Sequence, residues 1–209
     1  MRRHLLSLIL LLAAAPLAMA QGTPGTVELT PTVGYWFGDT IARNATGTLN
    51  TDVTVDDAPS YGLRFAYRFA PGWAVEGFLT QEHADLVTGQ GGLFGGQTKL
   101  GTIDLSTGEA GVEGSFGHSR LVPFLAGGIG GMRLDPNLAG MHADTRFVGY
   151  FGGGVKLFFS PAIALRLDWR AHSVNVSNSR DRCDWWGDCN DRNDWITFRE
   201  VSLGLNFVM

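Results

Sequence analysis

The chain has 209 residues, 29 of them glycine, and only 17% are charged; 16 Lys and Arg stand against 20 Asp and Glu. That acidity argues against a nucleic-acid partner, which calls for a basic patch, and the length allows a single domain. After the N-terminal segment no run of about 18 apolar residues occurs, so a helical membrane span is not expected.

Residues 1–20 read as a cleavable secretory leader. Arg2 and Arg3 form a basic start, residues 5–15 are apolar, and Ala18-Met19-Ala20 supplies a small-x-small cleavage pattern. No cysteine follows the expected cut, so a lipid anchor is not expected. Residues 21–209 then form one domain.

Eight strands follow from two-residue alternation, because successive strand side chains leave opposite faces. The first, Val27–Phe37, places Val27, Leu29, Val33, Tyr35 and Phe37 on one parity. Residues 61–69 alternate Tyr61, Leu63, Phe65, Tyr67 and Phe69 with Gly62, Arg64, Ala66 and Arg68. A shorter strand covers 73–80. Residues 100–116 are poorly phased, with Leu105 and Val112 on opposite parities, which predicts a bulge. Strands at 121–132 and 147–159 come next. ALRLDWRAH, residues 164–172, sets Leu165, Leu167 and Trp169 against Arg166, Asp168 and Arg170. The eighth strand, 195–209, ends with Val201, Leu203, Leu205, Phe207 and Met209 in phase. The connections alternate between long (38–60, 81–98, 133–144, 174–194) and tight (70–72, 117–120, 160–162). Long loops on one side and short turns on the other define an up-and-down antiparallel barrel of the outer-membrane kind.

Alternation alone allows either face to point inward. The polar parity is diluted with small residues such as Gly62, Ala66, Gly152, Gly154, Ala164 and Gly204, while the other parity is crowded with aromatics and leucines. Eight strands enclose only enough space for their own side chains, so the small and charged parity belongs inside. Arg64, Arg68, Glu76, Lys156, Arg166, Asp168, Arg170 and Glu200 then form a paired lumen network, with Glu28 and Glu113 as further members and His172 capping it. Buried charge requires such pairing. Phe69, Trp73, Phe159 and Phe207 sit near the short turns, and Phe37, Tyr61 and Trp195 near the long loops, as two interfacial girdles. Arg199 falls on the apolar parity near the edge of the membrane band, where a cation can snorkel.

The terminal SLGLNFVM resembles the C-terminal assembly signal of bacterial outer-membrane proteins, with Gly204, Phe207 and Met209 as its elements; the usual aromatic last residue is replaced by Met209. PTVGYWFG, GLRFAYRF, GYFGGGVKLFF and ALRLDWR in this order resemble the small OmpA/OmpX-type outer-membrane β-barrel family across the region after the leader. The resemblance implies an integral outer-membrane protein with both termini in the periplasm and four exposed loops. It implies a structural or adhesive role, and contact with the barrel-assembly machinery, outer-membrane lipid and lipopolysaccharide. Family members that continue into a peptidoglycan-binding domain differ from this chain.

The last long loop contains RCDWWGDC. Cys183 and Cys189 in an oxidising compartment read as a disulfide, whose short ring stabilises by roughly 2 kcal/mol. Calcium is the rival reading, because Asp181, Asp184, Asp188, Asp191 and Asp194 crowd the loop; their spacing fits no standard calcium loop, and no metal or other cofactor is expected. Adjacent Trp185 and Trp186 at a loop tip suggest a glycan, lipopolysaccharide or protein ligand, or packing against neighbouring loops. Catalysis is not expected. A lipid A-modifying enzyme would need a histidine activating a serine, and in His172-Ser173 the two side chains leave opposite faces, while His118-Ser119 lies in a tight turn. Passage of small hydrophobic molecules, as in OmpW-like barrels, is the alternative function, with Leu93, Phe94, Leu138 and Met141 as funnel candidates. A soluble periplasmic barrel is the alternative fold assignment.

Overall fold

The computed structural model describes residues 23–38, 40–42, 53–88, 98–117, 119–137, 143–175 and 195–209. Its strands are β1 (Val27–Phe37), β2 (Thr40–Ala42), β3 (Val53–Val55), β4 (Ala58–Ala70), β5 (Trp73–Thr88), β6 (Thr98–Ser115), β7 (Leu121–Pro136), β8 (Asp144–Ser160), β9 (Ile163–Asn175) and β10 (Trp195–Val208). Apart from the short β2 and β3, each strand pairs antiparallel with its sequence neighbour, and β1 pairs with β10 to close the wall. The seam is sealed by reciprocal bonds between Val27 and Met209, at 2.9 Å and 2.8 Å. Closure removes free sheet edges, which a bilayer does not tolerate.

The turns at one end follow from local chemistry. Ala70-Pro71-Gly72 joins β4 to β5, and Gly72 adopts φ 76°, a conformation costly for any residue with a Cβ. At the other end β2 and β3 extend the wall, β3 pairing with β5 at Val55↔Leu86.

Several strands outrun the alternation. β5 continues to Thr88 and β7 to Pro136, so parts of the expected loops 81–98 and 133–144 are wall. The facing still alternates there, but the polarity inverts: Ala84, Leu86 and Met132 turn inward, while His83, Arg133 and Asp135 turn outward. Above the apolar membrane band the barrel wears water-soluble dress, and a hydrophobic pattern tuned to lipid loses its phase.

The bulge expected near Leu105 and Val112 is absent. β6 runs in unbroken register with β7 from Ile103 to Ser115, and the irregularity lies higher, where Leu86 and Val87 of β5 face Gly101 and Lys99. Leu105 is inward because it belongs to the apolar upper lumen; Val112 is outward because it faces lipid.

Candidate functional site

The lower lumen is an ion-pair network carried by alternate residues of β1, β4, β5, β6, β8 and β9. Arg166 is its centre. It donates to Glu113 at 2.5 Å and to both oxygens of Asp168 at 2.8 Å and 3.1 Å, and reaches Glu76 at 3.4 Å. Arg64 meets Asp168 at 2.6 Å and Arg170 meets Glu76 at 2.5 Å. Lys156 bridges Glu28 at 2.6 Å and Glu113 at 2.7 Å, and Arg68 holds the other oxygen of Glu28 at 2.6 Å. The phenol of Tyr150 donates to Glu76 at 2.9 Å. The guanidiniums also lie on inward aromatic rings: Arg166 is 4.0 Å from the centre of Phe124, and Arg64 is 4.2 Å from that of Phe78.

Glycine makes room for this. A Cβ on Gly154 would collide with the Leu167 carbonyl, and one on Gly128 with Ala110 and the Tyr150 ring. Large inward side chains therefore stack against bare backbone on neighbouring strands.

Glu200, expected within the network, belongs to a layer above it that joins it through Glu109, 3.8 Å from Arg170. It accepts from Ser60 at 2.9 Å and lies 3.3 Å from Nε2 of His172, whose Nδ1 meets Glu109 at 2.6 Å. Trp36 stacks on the His172 ring, with centres 4.8 Å apart. Sequence reasoning missed Glu109 and Glu82. Glu109 shares the parity of Glu113, four residues on, a signal lost in the misphased reading of that strand. Glu82 is buried at 3% exposure, and neither carboxylate oxygen has a hydrogen-bond partner among the described residues. The alternation assigns its stretch to a loop. Above this layer the lumen is apolar, with Trp36, Leu86, Leu105, Met132, Val148 and Phe198 packed together.

The opposite parity faces out. Phe65 is 50% exposed and Leu167 45%, whereas Arg166, next to Leu167 on the inward parity, is 0%. The girdle residues are exposed except Phe207, which is half-buried: Phe69, Trp73 and Phe159 at the short-turn end, and Phe37, Tyr61 and Trp195 at the other. The assembly-signal residues split by parity. Gly204 packs on Thr30 and Thr32 across the β1–β10 seam, Phe207 is half-buried, and Met209 is exposed. Cys183, Cys189, Trp185 and Trp186 lie outside the described residues, as do the leader and the funnel candidates Leu93, Phe94, Leu138 and Met141. His172 and Ser173 fall on opposite sides of the wall: Ser173 is half-buried beside Thr197, 3.2 Å away.

A closed antiparallel wall with apolar side chains outside and salt bridges inside is a transmembrane β-barrel. The chain belongs to the outer membrane protein beta-barrel domain family, whose model matches residues 5–207, and its place is the bacterial outer membrane. No curated protein matches the chain in sequence. Its fold is similar to that of the outer membrane protein OprG from Pseudomonas aeruginosa, with a TM-score of 0.60 and 15% identity over 91% of this chain and 99% of that one. Neisserial surface protein A gives 0.57 and 13% over 88% and 98%. Ail, the attachment invasion locus protein of Yersinia pestis, gives 0.52 and 12% over 90% and 100%. The chain is thus a small outer-membrane β-barrel.

Proposed function

We propose that the barrel is a fixed anchor in the outer membrane and that its four long connections carry a structural or surface-interaction role. The filled lumen supports this reading most directly: Arg166, Lys156 and Glu113 are each 0% exposed, so the interior is occupied by the protein's own ion pairs and does not serve as a water channel. Function then falls to the outer surface. Trp185 and Trp186, held by a Cys183–Cys189 disulfide, are the proposed contact with a glycan, a protein or lipopolysaccharide. The terminal Gly204, Phe207 and Met209 are the proposed handle for the barrel-assembly machinery. Replacing both indoles by alanine is expected to abolish binding of labelled glycan or host protein to intact cells while leaving outer-membrane levels unchanged. Unchanged binding contradicts the loop assignment.

The second reading, a conduit for small hydrophobic molecules, draws on the apolar upper lumen around Leu86, Met132 and Phe198. A molecule entering there would have to leave sideways, because the ion-pair layer lies beneath. Uptake of a fluorescent hydrophobic solute into vesicles carrying the protein favours the conduit; the anchor reading expects the rate of protein-free vesicles.

A further inference from the structure

Among the described residues, each buried charge in the bore can be followed to a partner except one. The lower network sets four carboxylates, Glu28, Glu76, Glu113 and Asp168, against five cations, Arg64, Arg68, Lys156, Arg166 and Arg170. Its surplus cation is taken up by the layer above, where Nη1 of Arg170 lies 3.8 Å from Glu109. That layer holds three carboxylates, Glu82, Glu109 and Glu200, and a single imidazole, His172, which contacts Glu109 at 2.6 Å and Glu200 at 3.3 Å. With His172 counted as a cation, six positive groups face seven negative ones. The carboxylate left over is Glu82, neither of whose oxygens has a hydrogen-bond or ion-pair partner among the described residues. An isolated buried carboxylate is too costly to keep, so Glu82 needs a counter-charge of its own.

The residues around Glu82 indicate which counter-charge. Thr80 precedes it by two positions on β5 and so turns to the same side, and Thr107 is the cross-strand partner of Thr80 on β6. The two threonines are 3% and 4% exposed, and neither hydroxyl oxygen makes a hydrogen bond of normal geometry among the described residues. Four oxygens, two from Glu82 and one from each threonine, are thus gathered on one stretch of the inner wall. A proton on Glu82 would be shared with a neighbouring oxygen through a hydrogen bond. A hard cation is held instead by several oxygens at once, each bonded to the ion and none to another. Charge sets the valence: a singly charged ion cancels the one surplus negative charge, whereas a divalent ion would leave a positive excess. In keeping with this, no three acidic, histidine or cysteine side chains converge as a metal-chelating group among the described residues.

We infer that Glu82, Thr80 and Thr107 bind one sodium or potassium ion inside the barrel. The site lies where the ion-pair layers give way to the apolar upper lumen, since Leu105, the cross-strand partner of Glu82, already belongs to the apolar cluster. The ion completes the charge balance of the bore and fastens β5 to β6 beneath their long connection. Ser60, which pairs with Glu82 from β4, is engaged with Glu200 at 2.9 Å and stays outside the set. Sequence spacing does not announce the site, because the alternation leaves Glu82 in a loop and only register brings Thr107 beside Thr80. The inference is independent of the role given to the loops.

The test uses the full chain folded into phosphatidylcholine vesicles, with urea unfolding followed in sodium, potassium or N-methylglucamine chloride at constant ionic strength. For wild type, the folding equilibrium constant is expected to rise about tenfold for each tenfold increase in free sodium or potassium above half-saturation. The bulky N-methylglucamine is expected to give no rise. The alkali cation with the lower half-saturation identifies the resident ion, and folded wild type is expected to retain one such ion per barrel, counted by atomic emission after gel filtration. Glu82→Gln, which removes the surplus charge at constant size, is expected to lose both the cation dependence and the retained ion. Thr107→Ser keeps the oxygen and is expected to keep both, whereas Thr107→Ala is expected to raise the half-saturating concentration about tenfold. Asp135→Asn, at an exposed carboxylate on the outer wall, is expected to behave as wild type. Heat-modifiable gel mobility establishes that each variant is folded. Equal wild-type midpoints in all three salts, or a cation dependence retained by Glu82→Gln, overturns the inference. A midpoint indifferent to the cation that falls from neutral to alkaline pH in wild type, and not in Glu82→Gln, assigns Glu82 a proton and overturns it too.

Discussion

Arg166 has no route to water, and its three carboxylate partners have none either. Removing one member of such a cluster strands a buried charge, at a typical cost of about 3–5 kcal/mol. Glu113→Gln, which leaves Lys156 and Arg166 each short of a partner, is expected to lower the unfolding free energy by that amount, measured by urea titration in lipid vesicles. Gly154→Val is expected to reduce folded yield sharply, because the space beside the Leu167 carbonyl is already filled. The charged residues of this layer were legible in sequence since each has a valine, a leucine or an aromatic beside it on the strand. Trp36, Phe78, Phe124 and Phe158 were not legible as lumen residues. Aromatic side chains favour the lipid face as a class, and these four turn inward because they follow strand parity: Phe78 and Phe124 meet guanidinium there, Trp36 stacks on His172, and Phe158 packs with Val122 and Ala164.

At the scale of a strand, polarity reports facing only while one side touches lipid. β4, β8, β9 and β10 were readable because most of their length lies in the apolar band. The upper reaches of β5 and β7 were not, since their outward residues His83, Asp85, Arg133 and Asp135 are those of a wetted wall. The inversion makes a depth-dependent prediction. Phe65→Arg, in the lipid band, is expected to cost about 2–4 kcal/mol, whereas Asp135→Arg, above it, is expected to cost about 0–1 kcal/mol; urea midpoints in vesicles distinguish the two. For β10, Met209→Phe restores the usual terminal aromatic and is expected to raise the rate of outer-membrane assembly in cells, while Phe207→Ala is expected to lower it, read from folded protein at short times after induction.

The whole barrel places greasy groups on its convex face and paired charges in its bore, with a second, inverted arrangement above the membrane. The up-and-down closure and eight-strand wall could be read from alternating loop lengths, because antiparallel neighbours joined by short turns leave little choice of topology. The His83–Asp104 pair could not, since it depends on the register of two strands across a 21-residue separation. The most direct test of the orientation is depth-sensitive quenching on single cysteines in a Cys183→Ser, Cys189→Ser background. A bimane on Leu167→Cys, in protein folded into vesicles, is expected to be strongly quenched by brominated acyl chains, and Ala164→Cys to resist a water-soluble maleimide until unfolded. Ready maleimide labelling at position 164 of the folded protein, together with no quenching at position 167, would contradict the account.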